Sequence, residues 1–159
     1  MCQKCWKLMS IAVKVMDASL REDFGYENLL WVFSGRRGIH CWVCDHDARS
    51  LFNDSRSAIV NYLSIPVGNE MGTHHAKIEM PLHPAYQRAK DIISDKFEEI
   101  MMKDQDILAN EKVRERLLNI LDGTALKERV QEIWEECLSR DNCYDSVNLW
   151  RAYRKCVKD

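Results

Sequence analysis

The stretch "LLWVFSGRRGIHCWVC", residues 29–44, decides the fold. Two runs rich in β-formers, "LLWVFS" (29–34) and "IHCWVC" (39–44), flank Gly35-Arg36-Arg37-Gly38. Four residues with glycine at both ends have the length and chemistry of a hairpin turn. Glycine lets the backbone take positive φ and approach an anion closely. Arginine forks pair with phosphate oxygens two at a time. Ser34 and His40 flank the turn, and pleat parity lets both project to the face where an anion would sit. Ser34, Arg36, Arg37 and His40 therefore form either a polyphosphate cradle or the solvated basic tip of an ordinary hairpin. Spacing alone leaves both open.

Outward from the hairpin the pattern turns helical. Trp6, Met9, Val13, Met16 and Leu20 recur at steps of three and four, which predicts a helix over 5–23 ended by Gly25. Asp45 is placed to cap a helix running to about Leu63, with Ile59, Tyr62 and Leu63 among its apolar positions. Residues 65–84 hold all three prolines and two of the six glycines. They are expected to form a loop with one short strand at 77–80. Pro84 suits the first turn of a helix carrying Ala89, Ile93, Phe97 and Ile100. Further helices are expected over 106–121, 125–138 and 145–157. The fold class is therefore α/β (α+β). Residues 1–64 form the mixed part with the hairpin, 65–84 a linker, and 85–159 a mainly helical subdomain.

The 159 residues suit one domain, 46% apolar and 30% charged. A formal charge of −2 gives no whole-domain steering toward nucleic acid, so any phosphate recognition must be local. No apolar run has the length of a membrane span. "MCQKCWKLM" is not a signal peptide, so an intracellular setting with reduced thiols is expected. Seven cysteines then read as metal ligands or buried thiols.

Two CxxC pairs, Cys2/Cys5 and Cys41/Cys44, suggest a four-thiolate zinc site. Cys41 and Cys44 lie in a strand, however, where positions three apart face opposite sides. They read better as ordinary thiols, with Cys2 and Cys5 as a half-site. Asp45-His46-Asp47 has the form of a magnesium-binding carboxylate pair. Helix capping and the helix dipole explain it more simply. Asp104-Gln105-Asp106 reads the same way. His74-His75 is a lone pair in a polar loop.

"REDFGYENLLWVFSGRRGIHCWVCDHDAR" (21–49) closely resembles the signature region of the eukaryotic DNA primase small (catalytic) subunit. "CQKCWKLMSIAVKVMD", "SRSAIVNYLS" (55–64), "LHPAYQRAKDII" (82–93) and "DQDIL" (104–108) continue the likeness, which weakens after about residue 112. The resemblance implies a DNA-dependent RNA polymerase that joins ribonucleoside triphosphates into an RNA primer on single-stranded DNA. Three aspartates would hold two Mg2+ or Mn2+ ions. Ser34, Arg36, Arg37 and His40 match the triphosphate-binding motif. Cys2 and Cys5 match the second half of a structural zinc site. The implied partners are the primase large subunit and the DNA polymerase alpha complex, in the nucleus, with no membrane role. None of the metal-binding aspartates has a match here, and Asp45 and Asp47 do not align with them. The expectation is a partial chain, inactive by itself, that carries the triphosphate grip. Two other readings stand beside it: a non-catalytic module that docks a partner such as the large subunit, and a zinc-binding regulator built on both CxxC pairs.

Overall fold

The computed structural model describes residues 3–36, 38–64, 80–139 and 145–158. Helix α1 (Gln3–Glu22) leads into strands β1 (Leu29–Phe33) and β2 (Ile39–Val43), then helices α2 (His46–Arg49), α3 (Asn53–Leu63) and α4 (Pro84–Phe97). A π-helical segment, Glu98–Asp104, and a 3-10 turn, Ile107–Ala109, precede α5 (Glu111–Ile120), α6 (Thr124–Ser139) and α7 (Ser146–Lys158). This is an α+β fold whose described strands make one antiparallel pair. The described residues fall into two compact units, the first reaching Ser94 and the second starting at Asp95.

In the first unit, Gly25 ends α1 in the left-handed conformation, φ +70°. Its N–H bonds to the Arg21 carbonyl at 3.0 Å and that of Tyr26 to Leu20 at 3.1 Å. These bonds satisfy carbonyls that the helix end would otherwise leave bare. The hairpin pairs Leu29 with Val43, Trp31 with Cys41 and Phe33 with Ile39. Its inner side chains meet α1. The Trp31 indole donates to Asp17 Oδ1 at 2.9 Å, and Trp6 meets Phe33 edge-on at 5.2 Å between ring centroids.

The single helix expected from Asp45 to Leu63 is two helices, α2 and α3, broken at Ser50–Phe52. Asp45 stands at the N-cap position of α2 but makes no side-chain cap bond there. Its carboxylate instead reaches back 18 residues in sequence and accepts from the Glu27 N–H, and also from the Asn28 N–H, each at 3.1 Å. Three N–H donors outbid one helix end, because Asn28 Nδ2 also donates to Asp45 Oδ1. Arg88 of α4 fastens to the C-terminal end of α1. It pairs with Glu22 at 3.1 Å and with Asp23, and donates to Ser19 Oγ at 3.4 Å.

In the second unit, Met102, Leu108, Leu121, Val130, Trp134, Leu149, Tyr153 and Cys156 form one buried cluster. The Trp134 indole donates to the Leu149 carbonyl at 2.9 Å, so burying this polar ring leaves no orphan donor. Trp150 and Tyr153 stack at 5.5 Å, and Tyr153 and Trp134 at 6.0 Å. The helix expected over 106–121 is broken too. Asp106 takes φ +49°, a 3-10 turn follows, and Asn110 caps α5 by accepting from Lys112 N–H at 3.0 Å. Asp106 is not a helix cap by its side chain. Its carboxylate accepts from Ser146 Oγ, which itself accepts from the Leu108 N–H at 2.9 Å. The loop and strand expected at 65–84 and 77–80 lie largely outside the described residues, as do His74 and His75.

Candidate phosphate-binding site

The hairpin tip is built by local hydrogen bonds. The Ser34 N–H donates to the Gly38 carbonyl at 2.9 Å. The Gly38 N–H donates in return to Ser34 Oγ at 3.0 Å. The link between the strands is thus five residues, Ser34 to Gly38, one more than the sequence suggests. Gly35 takes φ +82°, a conformation that strains any other residue. Ser34 accepts with a lone pair, so its hydroxyl proton stays available to donate to an anion. Ser34, Gly35, Arg36 and His40 are all exposed. Among the described residues, Arg36 has no carboxylate partner in an ion pair. An exposed guanidinium without a counter-charge is what an anion site needs and a structural salt bridge lacks. Arg37 lies outside the described residues.

Strand alternation sorts the remaining side chains. Leu29, Trp31, Ile39, Cys41 and Val43 are half-buried on the inner face, whereas Leu30, Val32, His40 and Trp42 are exposed on the outer one. His40 pairs with Val32 across the strands, one step from the turn, and Trp42 pairs with Leu30 two residues further on.

Below the tip, two carboxylates hold the hairpin in place. The Trp31 indole N–H, and next the Arg21 guanidinium, hold Asp17 below the ordinary carboxylate range. The Glu27 N–H lowers Asp45 most; burial opposes it, and the Asn28 backbone and side-chain donors add to the lowering. Asp45 therefore stays ionised as a structural acceptor. Asp47 is fully exposed, and the His46 imidazole lies 3.4 Å from its carboxylate. Neither the Asp45 carboxylate nor the exposed Asp47 is set to share a metal ion.

Burial, and secondarily the Asp17 charge, pushes the Cys41 thiol up. It lines a pocket of about 400 Å3 with Leu20, Val43 and Ile59. Cys44 is exposed just beyond β2. Cys5 is exposed in the first turn of α1, and Cys2 lies outside the described residues. Among the described residues no group of three or more His, Cys, Asp or Glu gathers to hold a metal ion. The described residues alone do not complete a zinc or magnesium site.

Two features escape a reading by motif. The anchoring of β1 by Asp45 joins residues far apart in sequence. Trp42 shares the His40 face, and the alternation of "HCW" is the signal that shows it.

The turn of this α+β chain thus carries an arginine, Arg36, that no described carboxylate neutralises, the chemistry of a candidate anion site. Residues 1–151 match the family model described as DNA primase small subunit, and the chain belongs to that family. It is 42% identical over 151 residues to the DNA primase small subunit of Schizosaccharomyces pombe, covering 94% of this chain and 32% of that protein. It is 38% identical over 157 residues to that of Drosophila melanogaster, covering 97% and 35%. The likeness to that of Caenorhabditis elegans is 53% over 64 residues, covering 40% and 16%. The chain therefore spans about a third of the length of the first two curated relatives. No helix among the described residues is long and apolar enough to cross a membrane.

Proposed function

We propose that this chain carries the triphosphate grip of a DNA primase catalytic subunit, the nucleotidyltransferase that makes RNA primers for DNA replication. The observation that carries the proposal is the turn between the strands, where Ser34, Gly35 and Arg36 are exposed, with Arg36 unpaired by any described carboxylate and His40 exposed beside it. Arg36 and Arg37 would neutralise the phosphates of an incoming ribonucleoside triphosphate. Ser34 and His40 would donate to them from the strand ends. A primer strand, a single-stranded DNA template, the primase large subunit and the DNA polymerase alpha complex are the partners this role entails, in the nucleus.

Catalysis would require divalent metals to activate the primer hydroxyl and to stabilise charge on the transferred group. The acids that would hold Mg2+ or Mn2+ are not Asp45 and Asp47, for the reasons given above. Cys2 and Cys5 would supply half of a structural zinc site. This chain alone is therefore expected to bind triphosphate weakly and to make no primer.

Templated ribonucleotide incorporation by the isolated chain, with magnesium or manganese, tests the second expectation. Sustained primer synthesis would overturn it. A nucleotide titration of the Arg36→Ala, Arg37→Ala double variant tests the grip. Each charged hydrogen bond removed is worth about 1.5–3 kcal/mol, so affinity should fall at least tenfold. Unchanged affinity would remove the assignment.

A further inference from the structure

The outer face of the hairpin joins an anion-binding turn to an apolar platform. His40 and Trp42 are alternate residues of β2 and so share one face. Trp42 is 64% exposed, and Leu30, its cross-strand partner, is 57% exposed. Large side chains this bare are costly to leave in water, and they lie in line with the phosphate-binding tip. Two residues along a strand cover about 7 Å. A ribose separates its 5′-phosphate from its base by a comparable span. A ligand with polyphosphate at one end and a flat, weakly polar ring at the other would match the face end to end.

We propose that Trp42, supported by Leu30, is the base-side platform for the triphosphate held at the turn. The indole would stack on the nucleobase and serve as a specificity-determining residue. The inference rests on the triphosphate reading of the turn, and its test separates the two. Stacking rewards the larger ring system and every base offers a π-face. The site should therefore favour purine over pyrimidine triphosphates without strict base selection.

The experiment compares ATP with inorganic tripolyphosphate, which has the anion and no base, in titrations of the full chain. Arg36→Ala should weaken both. Trp42→Ala should weaken ATP about tenfold, the worth of one base–aromatic stack, and leave tripolyphosphate unchanged. If Arg36→Ala changes neither ligand, the triphosphate reading fails. If Arg36→Ala weakens both while Trp42→Ala weakens neither, or weakens both equally, the platform is overturned; the face is then left for a protein segment. Trp42→Phe keeps a stacking ring and carries the test if Trp42→Ala does not fold. It should retain most of the ATP affinity while losing the ATP-induced quenching of indole emission. Quenching that persists undiminished in Trp42→Phe would also overturn the proposal.

Discussion

The two units are alike in their helical periodicity and unlike in what that periodicity buries. In the second, an eight-residue cluster closes around Trp134 and Leu149. In the first, Ser19 and Leu20 alone are buried among the described residues. Trp6, Leu30, Val32, Phe33, Trp42, Phe52 and Val60 of that unit are exposed. Apolar spacing therefore identifies the face that a helix or strand offers, but not whether anything covers it. The second unit finds its cover among its own helices. The first is held chiefly by directed contacts: the Asp17–Trp31 bond, the Asp45 anchor and the Arg88 pairs. Such a unit leaves an exposed apolar surface beside the turn that carries Arg36.

The contrast can be broken first at its strongest point. Trp134→Ala removes a ring that is 3% exposed, its stacking on Tyr153 and its bond to the Leu149 carbonyl. A loss of about 3–5 kcal/mol is expected. It should appear as a lower denaturant midpoint at unchanged slope. A cost under 1 kcal/mol would mean that the second unit is not held by this cluster.

In the first unit the matching weak point is a charge rather than a ring. Arg88 has a side chain 18% exposed and Asp23 one 16% exposed. Arg88→Ala leaves Asp23 half-sheltered without its cation and frees the end of α1 from α4. The expected loss is about 2–3 kcal/mol, the value of hydrogen bonds to charged groups. High salt should lessen the pairing little, because a half-buried pair is screened less than a surface one. An effect within 0.5 kcal/mol, or one abolished by salt, would put Arg88 among ordinary surface ion pairs.

The same division explains what the sequence revealed. The hairpin, the end of α1 at Gly25, and α4, α6 and α7 follow from local signals: β-formers around glycines, apolar repeats and Pro84. The breaks at Ser50–Phe52 and at Asp106–Asn110 were hidden because their causes are distant. Asp45 prefers the Glu27 and Asn28 amides to its own helix, and Asp106 serves Ser146 across 40 residues of sequence. The candidate turn was legible as a unit because its residues are contiguous in sequence. The alternation of "HCW" puts Trp42 on the His40 face, but whether anything covers that face is not a local property, and its exposure is visible only in the structure.

Asp45 gives the finest test of the contacts that hold the first unit. Its folded pKa lies below the ordinary value of about 3.9 because backbone amides favour the ionised form. The unfolded chain then takes up its proton first as pH falls. The stability Asp45 confers is fully present above about pH 4 and is lost as pH drops through the lowered folded pKa. Asp45→Asn keeps an acceptor oxygen but loses the charge and turns an amide N–H₂ toward other donors. The variant should be less stable than the parent at pH 7 and converge on it at low pH. Urea midpoints of both proteins across the acid range would show this, and the difference between them removes the parallel contribution of Asp17. A constant offset at every pH would mean that the Asp45 charge plays no part, and that shape alone anchors the start of β1.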